Sequence, residues 1–551
     1  MKTLKNKLLI LAFVSPALVI GQGGIKNNED IIITKNKELV VKNARKISET
    51  PNIEDTTKII PQLNYRFIQH QYPVRYDVDP IQAANIKNDK LTKLYHGYVM
   101  AGLGTNLTPL LDVYYNSTRD KFKSLGFRAK HFSSNGINKI DYSSFSENSV
   151  ELFGKKFIDD YAYGMNAGFD RNMIHFYGFT PSPLINISEP DDIRHIVSKF
   201  NLGTSFSSVG VDTNRINHNH SVNYQYLFSN YAMDEHYLVA SGDVGKYYGK
   251  EFYQLIGGFD YNNYSAEKDS LNNGIIRFRP QITTTNKKWR IRVGLNINAD
   301  VATSAKFHFY PVADFKFNIV DNIIVPYGGI EGGINRNNFD SFFSDNPFVN
   351  PTLQLRNTNN NYRVYGGIKG SLSKRLTFDA HVERNKFSSM PLYVKNTAGI
   401  NSKFDVIYDT VKVWEFGGEL AYQQNEKLRF IAKGQYFMYD QLNELKAWHN
   451  PDYKFSLLTK YDLRDKILVS FDLFVWGQQF AKTDSLINGR TEVIAQKING
   501  FVDANLAVEY RYTKRISAFI RFNNIASVKY YRWQDYRTQQ FNVLGGVTFS
   551  F

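Results

Sequence analysis

The sequence predicts an all-β fold: a transmembrane, antiparallel outer-membrane β-barrel of about 22 strands, within a range of about 20 to 24. Three observations carry this expectation. The chain opens on what reads as an export leader. From Leu94 onward, apolar and polar residues alternate with a period of two. The connections between the alternating segments are short and long in turn.

The leader comes first. "MKTLKNK" holds three lysines, "LLILAFVSPALVI" is an apolar run of 13, and Gly21-Gln22 follows. A basic start, a short apolar stretch and a small residue before the cut describe a signal peptide over 1–21, with cleavage between Gly21 and Gln22. A membrane-spanning helix needs about 20 apolar residues, and no later segment supplies them. The chain has no cysteine, which excludes disulfides, thiolate metal sites and a cysteine-borne lipid anchor. Without the leader, 64 Lys and Arg stand against 52 Asp and Glu. In an exported protein that excess points to anionic lipid headgroups or another anionic partner, and away from nucleic acid.

Residues 22–93 stand apart. They are polar, mixed in charge and interrupted by Pro61, Pro73 and Pro80. Proline at that spacing discourages both helix and central strand, so the expectation is an extended periplasmic or lumenal arm, followed by the barrel over 94–551.

The barrel segments alternate strictly. In "WRIRVGLNINA", Trp289, Ile291, Val293, Leu295 and Ile297 oppose Arg290, Arg292, Asn296 and Asn298. In "FVDANLAVEYRY", Val502, Leu506 and Val508 oppose Asp503, Asn505, Glu509 and Arg511. In "KLRFIAKGQY", Leu428, Phe430 and Ala432 oppose Arg429 and Lys433. Such runs match a tilted membrane strand of about 9 to 11 residues. A soluble sandwich uses strands of about five or six, and a propeller would repeat every 40 to 45 residues or so. The stretch 160–178 reads either as one long strand or as a hairpin. Loops 335–360, 387–411, 439–450, 482–497 and 527–538 are expected to be long and polar, with tight turns between them. Short periplasmic turns and long outer loops are the barrel asymmetry, and an even strand count places both termini in the periplasm.

The polar parity assigns Arg290, Arg292, Arg429, Lys433, Asp472, Asp503, Glu509, Arg511 and Arg521 to the lumen as candidate wall or ligand residues. Trp289, Trp414, Tyr510, Tyr512, Tyr530, Tyr531 and Trp533 fall near strand ends and read as interfacial girdles. His218 and His220 share a strand face but lack a neighbouring carboxylate at metal-binding spacing, so neither a metal nor a cofactor is expected. No Ser–His–Asp motif suggests an enzyme.

The C-terminal residues resemble a known family. Phe522-Asn523-Asn524-Ile525, Lys529-Tyr530-Tyr531 and the closing "GGVTFSF" are similar to the end of TonB-dependent receptor barrels, especially those of Bacteroidota. The resemblance covers about residues 94 to 551 and implies a barrel in which Phe549 and Phe551 form the signal read by the barrel-assembly machinery. It also implies a folded plug, which the arm 22–93 is too short and too proline-broken to supply. The expected function is solute binding or transport across the outer membrane. The alternative is a non-transporting subunit of a secretion or barrel-assembly complex with periplasmic or outer-membrane protein partners.

Overall fold

The computed structural model describes residues 94–179, 190–267, 269–301, 305–320, 322–396, 402–425, 427–487 and 490–551. The expected leader, its cleavage site at Gly21-Gln22 and the arm 22–93 lie outside them. The described chain builds one antiparallel sheet of 22 strands. The sheet closes on itself: Gly97–Gly104 pairs with Asn542–Ser550, from Tyr98 opposite Ser550 to Gly104 opposite Leu544. Closure removes both sheet edges, the condition for strands to stand in lipid with every backbone group bonded. Among the described residues no helix is long and apolar enough to cross a membrane.

The alternation explains the wall. Ile291, Val293 and Leu295 are exposed on the outer surface, while Asn296 and Asn298 of the same strand are buried on the inner one. In the last strand Val547 and Phe549 face out, and Leu544 and Thr548 are buried. The stretch 160–178 is a single strand, Tyr161–His175.

The two rims differ. One carries only turns such as 286–288, 372–375 and 512–515, together with the two ends of the wall strands that close the barrel. The other carries the segments 176–193, 336–357, 442–452, 477–500 and 524–541. Among the described residues, several of these segments hold regular structure that polar loops would lack. The segment 336–357 holds a helix, Phe339–Asp345. Hairpins occupy Gln479–Ile487 with Arg490–Ile498 and Tyr531–Trp533 with Tyr536–Arg537.

The expected loop 387–411 is largely strand. The ladder of Leu376–Lys395 with Phe404–Gln423 shifts register between Phe387 and Met390, then runs on to Lys395 opposite Phe404. The bulge accommodates Ser389 in the left-handed region (φ 57°) and lies beside Pro391, a residue that sheets tolerate at such irregularities. Leu392 and Val394 keep the alternation beyond the bulge, so the hairpin rises past its neighbours.

Candidate functional site at the long-loop rim

The long segments fold together over one mouth of the barrel. The helix Phe339–Asp345 starts at Asn338, whose side chain accepts from the Ser341 backbone while the Ser341 hydroxyl accepts from the Asn338 backbone. Its buried face is Phe339, Phe342 and Phe343. The carboxylate of Glu235, on the wall strand Met233–Tyr248, accepts from the Phe339 and Asp340 backbone N–H groups at 2.7 and 3.3 Å and from Asn338 Nδ2 at 3.1 Å. An anion at a helix start satisfies donors that no turn of helix can reach. Lys199 holds Asp340 at 3.2 Å from a second wall strand.

A second arm comes from 524–541. Asp535 (φ 64°) turns the chain tightly, which inserts Tyr536 into the cluster with 1% of its surface exposed. Its ring stacks on Phe348 and meets Tyr177 edge-on at 4.9 Å, and its hydroxyl donates to Ser402 O at 2.6 Å. Tyr177 in turn donates to Arg537 O at 3.0 Å, and Lys395 is ion-paired with Asp535. Gln534 reaches the third arm, donating to Thr483 and Gln496 of the 479–498 hairpin at 3.1 and 2.9 Å.

The resulting apolar cluster joins Val197, Leu227, Met233 and Tyr264 of the wall to Leu353, Phe404, Trp533 and Tyr536. Strand Met233–Tyr248 and strand Phe404–Gln423 are eight places apart round the ring. Residues so placed meet only if the segments cross the mouth. The cluster is therefore a cap, held by aromatic burial worth about 1.5 to 3 kcal/mol per side chain.

Beneath the cap the inner wall is a lattice of opposite charges. Asp260, 1% exposed, pairs with both Arg277 and Arg336. Arg363 bridges Glu331 at 3.0 Å and Glu383 at 2.6 Å. Two cations are less well matched. Lys454 Nζ and the Arg532 guanidinium both approach Trp476, at 4.3 and 4.0 Å from its ring centre. Arg532 has Asp345 at 4.0 Å. No carboxylate lies within salt-bridge range of Lys454 among the described residues. Burial lowers the Arg532 pKa, and it pushes His449, enclosed against Phe404 and Trp533, down to about 3.

The sequence-predicted residues are distributed around the wall. Arg292 is ion-paired with Asp314; Arg290, next to the turn at 286–288, is exposed. Lys433 stands opposite Glu419 in the ladder, and Arg429 opposite Gln423. Asp472 faces Asn505 across its ladder. Asp503 accepts from the Tyr530 hydroxyl. Glu509 and Arg511 approach to 3.9 Å, and Arg521 contacts the Met100 sulfur at 3.3 Å and lies over the Phe519 ring. Phe549 and Phe551 are exposed and stack at 5.8 Å. His218 and His220 stack on each other at 5.1 Å, and Phe206 lies 4.7 Å from His218. Tyr530 and Trp533, expected in a girdle, belong to the cap instead: Tyr530 stacks on Phe501 at 3.9 Å and Trp533 is 5% exposed. Sequence reasoning missed Glu235, Lys454, Trp476 and Tyr536. Only the Asn-x-x-Ser spacing before "FF" hinted at a capped helix.

Comparison with solved structures places the fold. The FrpB iron transporter of Neisseria meningitidis (F3-3 variant) superposes with a TM-score of 0.65 at 8% identity, over 84% of this chain and 82% of that one. The siderophore receptor PirA of Acinetobacter baumannii gives 0.63 at 10% identity, over 84% and 81%. The pyoverdine outer membrane receptor FpvA of Pseudomonas aeruginosa PAO1, bound to pyoverdine, gives 0.57 at 11%, over 84% and 79%. The chain shares the barrel fold of TonB-dependent receptors. No family model and no curated protein matches it in sequence.

Proposed function

We propose that this chain is an integral outer-membrane barrel that binds a solute at its capped mouth and passes it across the outer membrane. The observation that carries the reading is the cap itself: long segments from separate hairpins cross the mouth and meet above a mixed-charge wall. The receptor and transporter fold of the structural neighbours supports it. The paired cations at Trp476 suit a solute with an anionic group and a flat apolar part. In this reading the long-loop rim faces outward and the short-turn rim, with both termini, faces the periplasm. Arg290, Arg292, Arg429, Lys433, Asp503, Glu509, Arg511 and Arg521 line the lumen. The leader is cut between Gly21 and Gln22, the barrel-assembly machinery reads Phe549 and Phe551, and periplasmic or outer-membrane proteins are partners.

Single-channel recording in planar bilayers tests the proposal. The wild type is expected to conduct little, and a cap-opened Tyr536→Ala variant to conduct in large steps blocked by a bound solute. A Tyr536→Ala barrel that stays closed and co-purifies with a stoichiometric protein would favour the non-transporting subunit. That second reading draws on the aromatic packing at the cap's centre around Phe404 and Tyr536.

A further inference from the structure

The two rims carry different charge. The segments between wall strands at the long-loop rim hold 12 Lys and Arg and 12 Asp and Glu. Those at the short-turn rim hold 13 Lys and Arg and seven Asp and Glu. All 13 of these cations are exposed. Lys250, Lys287, Lys288, Lys374, Arg375 and Lys514 make no salt bridge among the described residues, whereas Arg215 is paired with Asp160 and lies 3.6 Å from Asp212.

Directly above these turns the outer surface is aromatic. Tyr115, Tyr161, Tyr248, Phe317, Tyr510 and Phe551 are all exposed at the ends of wall strands nearest this rim. Amphipathic rings on a barrel's outer surface settle at headgroup level. The aromatic ring therefore fixes a height, and the cations lie on its aqueous side. On the outer face of strand Met233–Tyr248, Lys246 brings its Nζ to 5.4 Å from the Tyr248 ring centre, an ammonium held at this aromatic belt. Long lysine stems let each ammonium reach from the apolar belt to a phosphate.

We infer that the short-turn rim is a docking collar for anionic phospholipid headgroups, one that holds the barrel at fixed depth and orientation in the leaflet on that side. The inference rests on the reading of the wall as membrane-spanning and adds the lipid class and the rim. Each cation near an anionic surface contributes about 1 kcal/mol, about fivefold in affinity, and the balanced long-loop rim offers no comparable attraction.

The test titrates the detergent-purified full chain with phosphatidylglycerol or phosphatidylcholine and counts bound lipids by native mass analysis. Phosphatidylglycerol is expected to bind at least about tenfold more tightly, and added salt should erase the difference. A Lys287→Gln, Lys288→Gln, Lys374→Gln, Arg375→Gln variant should lose most of that preference. A Lys482→Gln, Arg490→Gln, Lys497→Gln variant of the opposite rim should keep it. Equal binding of the two lipids overturns the collar, as does equal loss in both variants or preferential capture of polyglutamate over phosphatidylglycerol. Insertion into pure phosphatidylcholine vesicles, read as a heat-modifiable band, reports separately on the membrane barrel. Success there with no lipid preference would sink the collar alone.

Discussion

Tyr536 and Phe348 stack with their ring centroids 3.6 Å apart. One comes from the segment before the last strand, the other from the segment after Val325–Asn335, so the contact ties two arms across the mouth. Replacing Tyr536 with Ala removes the stack, the Tyr177 contact and the bond to Ser402. It should cost the cap about 3 to 5 kcal/mol, while the wall survives. Tyr536→Phe should cost about 1 kcal/mol, the hydroxyl alone. Hydrogen exchange across 336–357 and 524–541 reads the difference, and equal protection in all three proteins would refute the hub.

Gly178 lies against the same ring. A Cβ there would sit 2.3 Å from Tyr536 Cε2, so Gly178→Ala must displace the tyrosine. The expected loss of cap protection resembles that of Tyr536→Ala. The double variant should lose little more than either single one, because both remove one contact. Additive losses would show that the two positions act independently.

Glu235 faces only donors at the helix start. Glu235→Gln places an NH2 group among those N–H groups and leaves one of them unsatisfied. A buried unmet donor costs about 1 to 3 kcal/mol. Limited proteolysis should cut 336–357 faster in the variant; unchanged cleavage would mean that the helix holds without this anchor.

His449 makes the cap acid-sensitive. Burial, with Arg532 adding to it, puts its pKa at about 3, against about 6.5 in an open loop. Above about pH 6.5 the ring is neutral in both states and the cap keeps its full stability. As pH falls from 6.5 toward 3, the open loop takes up a proton that the closed one refuses, so closure weakens progressively. Exchange protection of 442–452 should drop between pH 7.5 and pH 5, values chosen to bracket the open-loop pKa of about 6.5. In His449→Leu that drop should vanish, and a drop of the same size there would assign the effect to another group.

Gly546 allows the barrel to close. A Cβ on it would meet Ala101 O at 2.1 Å, and that oxygen belongs to the first strand's backbone, which has no rotamer to escape into. Gly546→Val should weaken the seam by about 1 to 3 kcal/mol or more. It should also lower the temperature at which the folded band disappears on semi-native gels. An unchanged transition would place the tolerance of the seam elsewhere.

The wall was legible because lipid on one side and polar contacts on the other impose a strict period. The alternating runs "WRIRVGLNINA", "KLRFIAKGQY" and "FVDANLAVEYRY" each have their wall strand, Trp289–Val301, Leu428–Gln441 and Phe501–Arg511, with ends shifted by a few residues, while Leu376–Lys395 and Phe404–Gln423 run past the rim. The cap was not legible. A helix of seven residues shows too little periodicity to detect, and the hairpin around Asp535 is read as polar loop because its buried partners lie far away in sequence. Trp533 illustrates the ambiguity: near a strand end, an aromatic residue reads alike whether it meets a headgroup or, as here, His449 and Phe404. Lys454 looked like any wall cation until Arg532 arrived from another segment to share its indole.

The ladder between Gly97–Gly104 and Asn542–Ser550 has a kinetic consequence. It brings together groups such as Thr105 and Val543, 438 positions apart along the chain. The entropy of joining such distant ends grows only as a logarithm, about 0.6 kcal/mol per doubling of the loop. The waiting time is the harder constraint, since contacts of high sequence separation form late. Until Asn542–Ser550 arrives, a curved ribbon offers the backbone groups of its first strand to any passing edge, a standing invitation to mispairing. The first wall strand made pairs at once with Thr108–Asn116, yet it waits for the far end of the chain to gain its second neighbour.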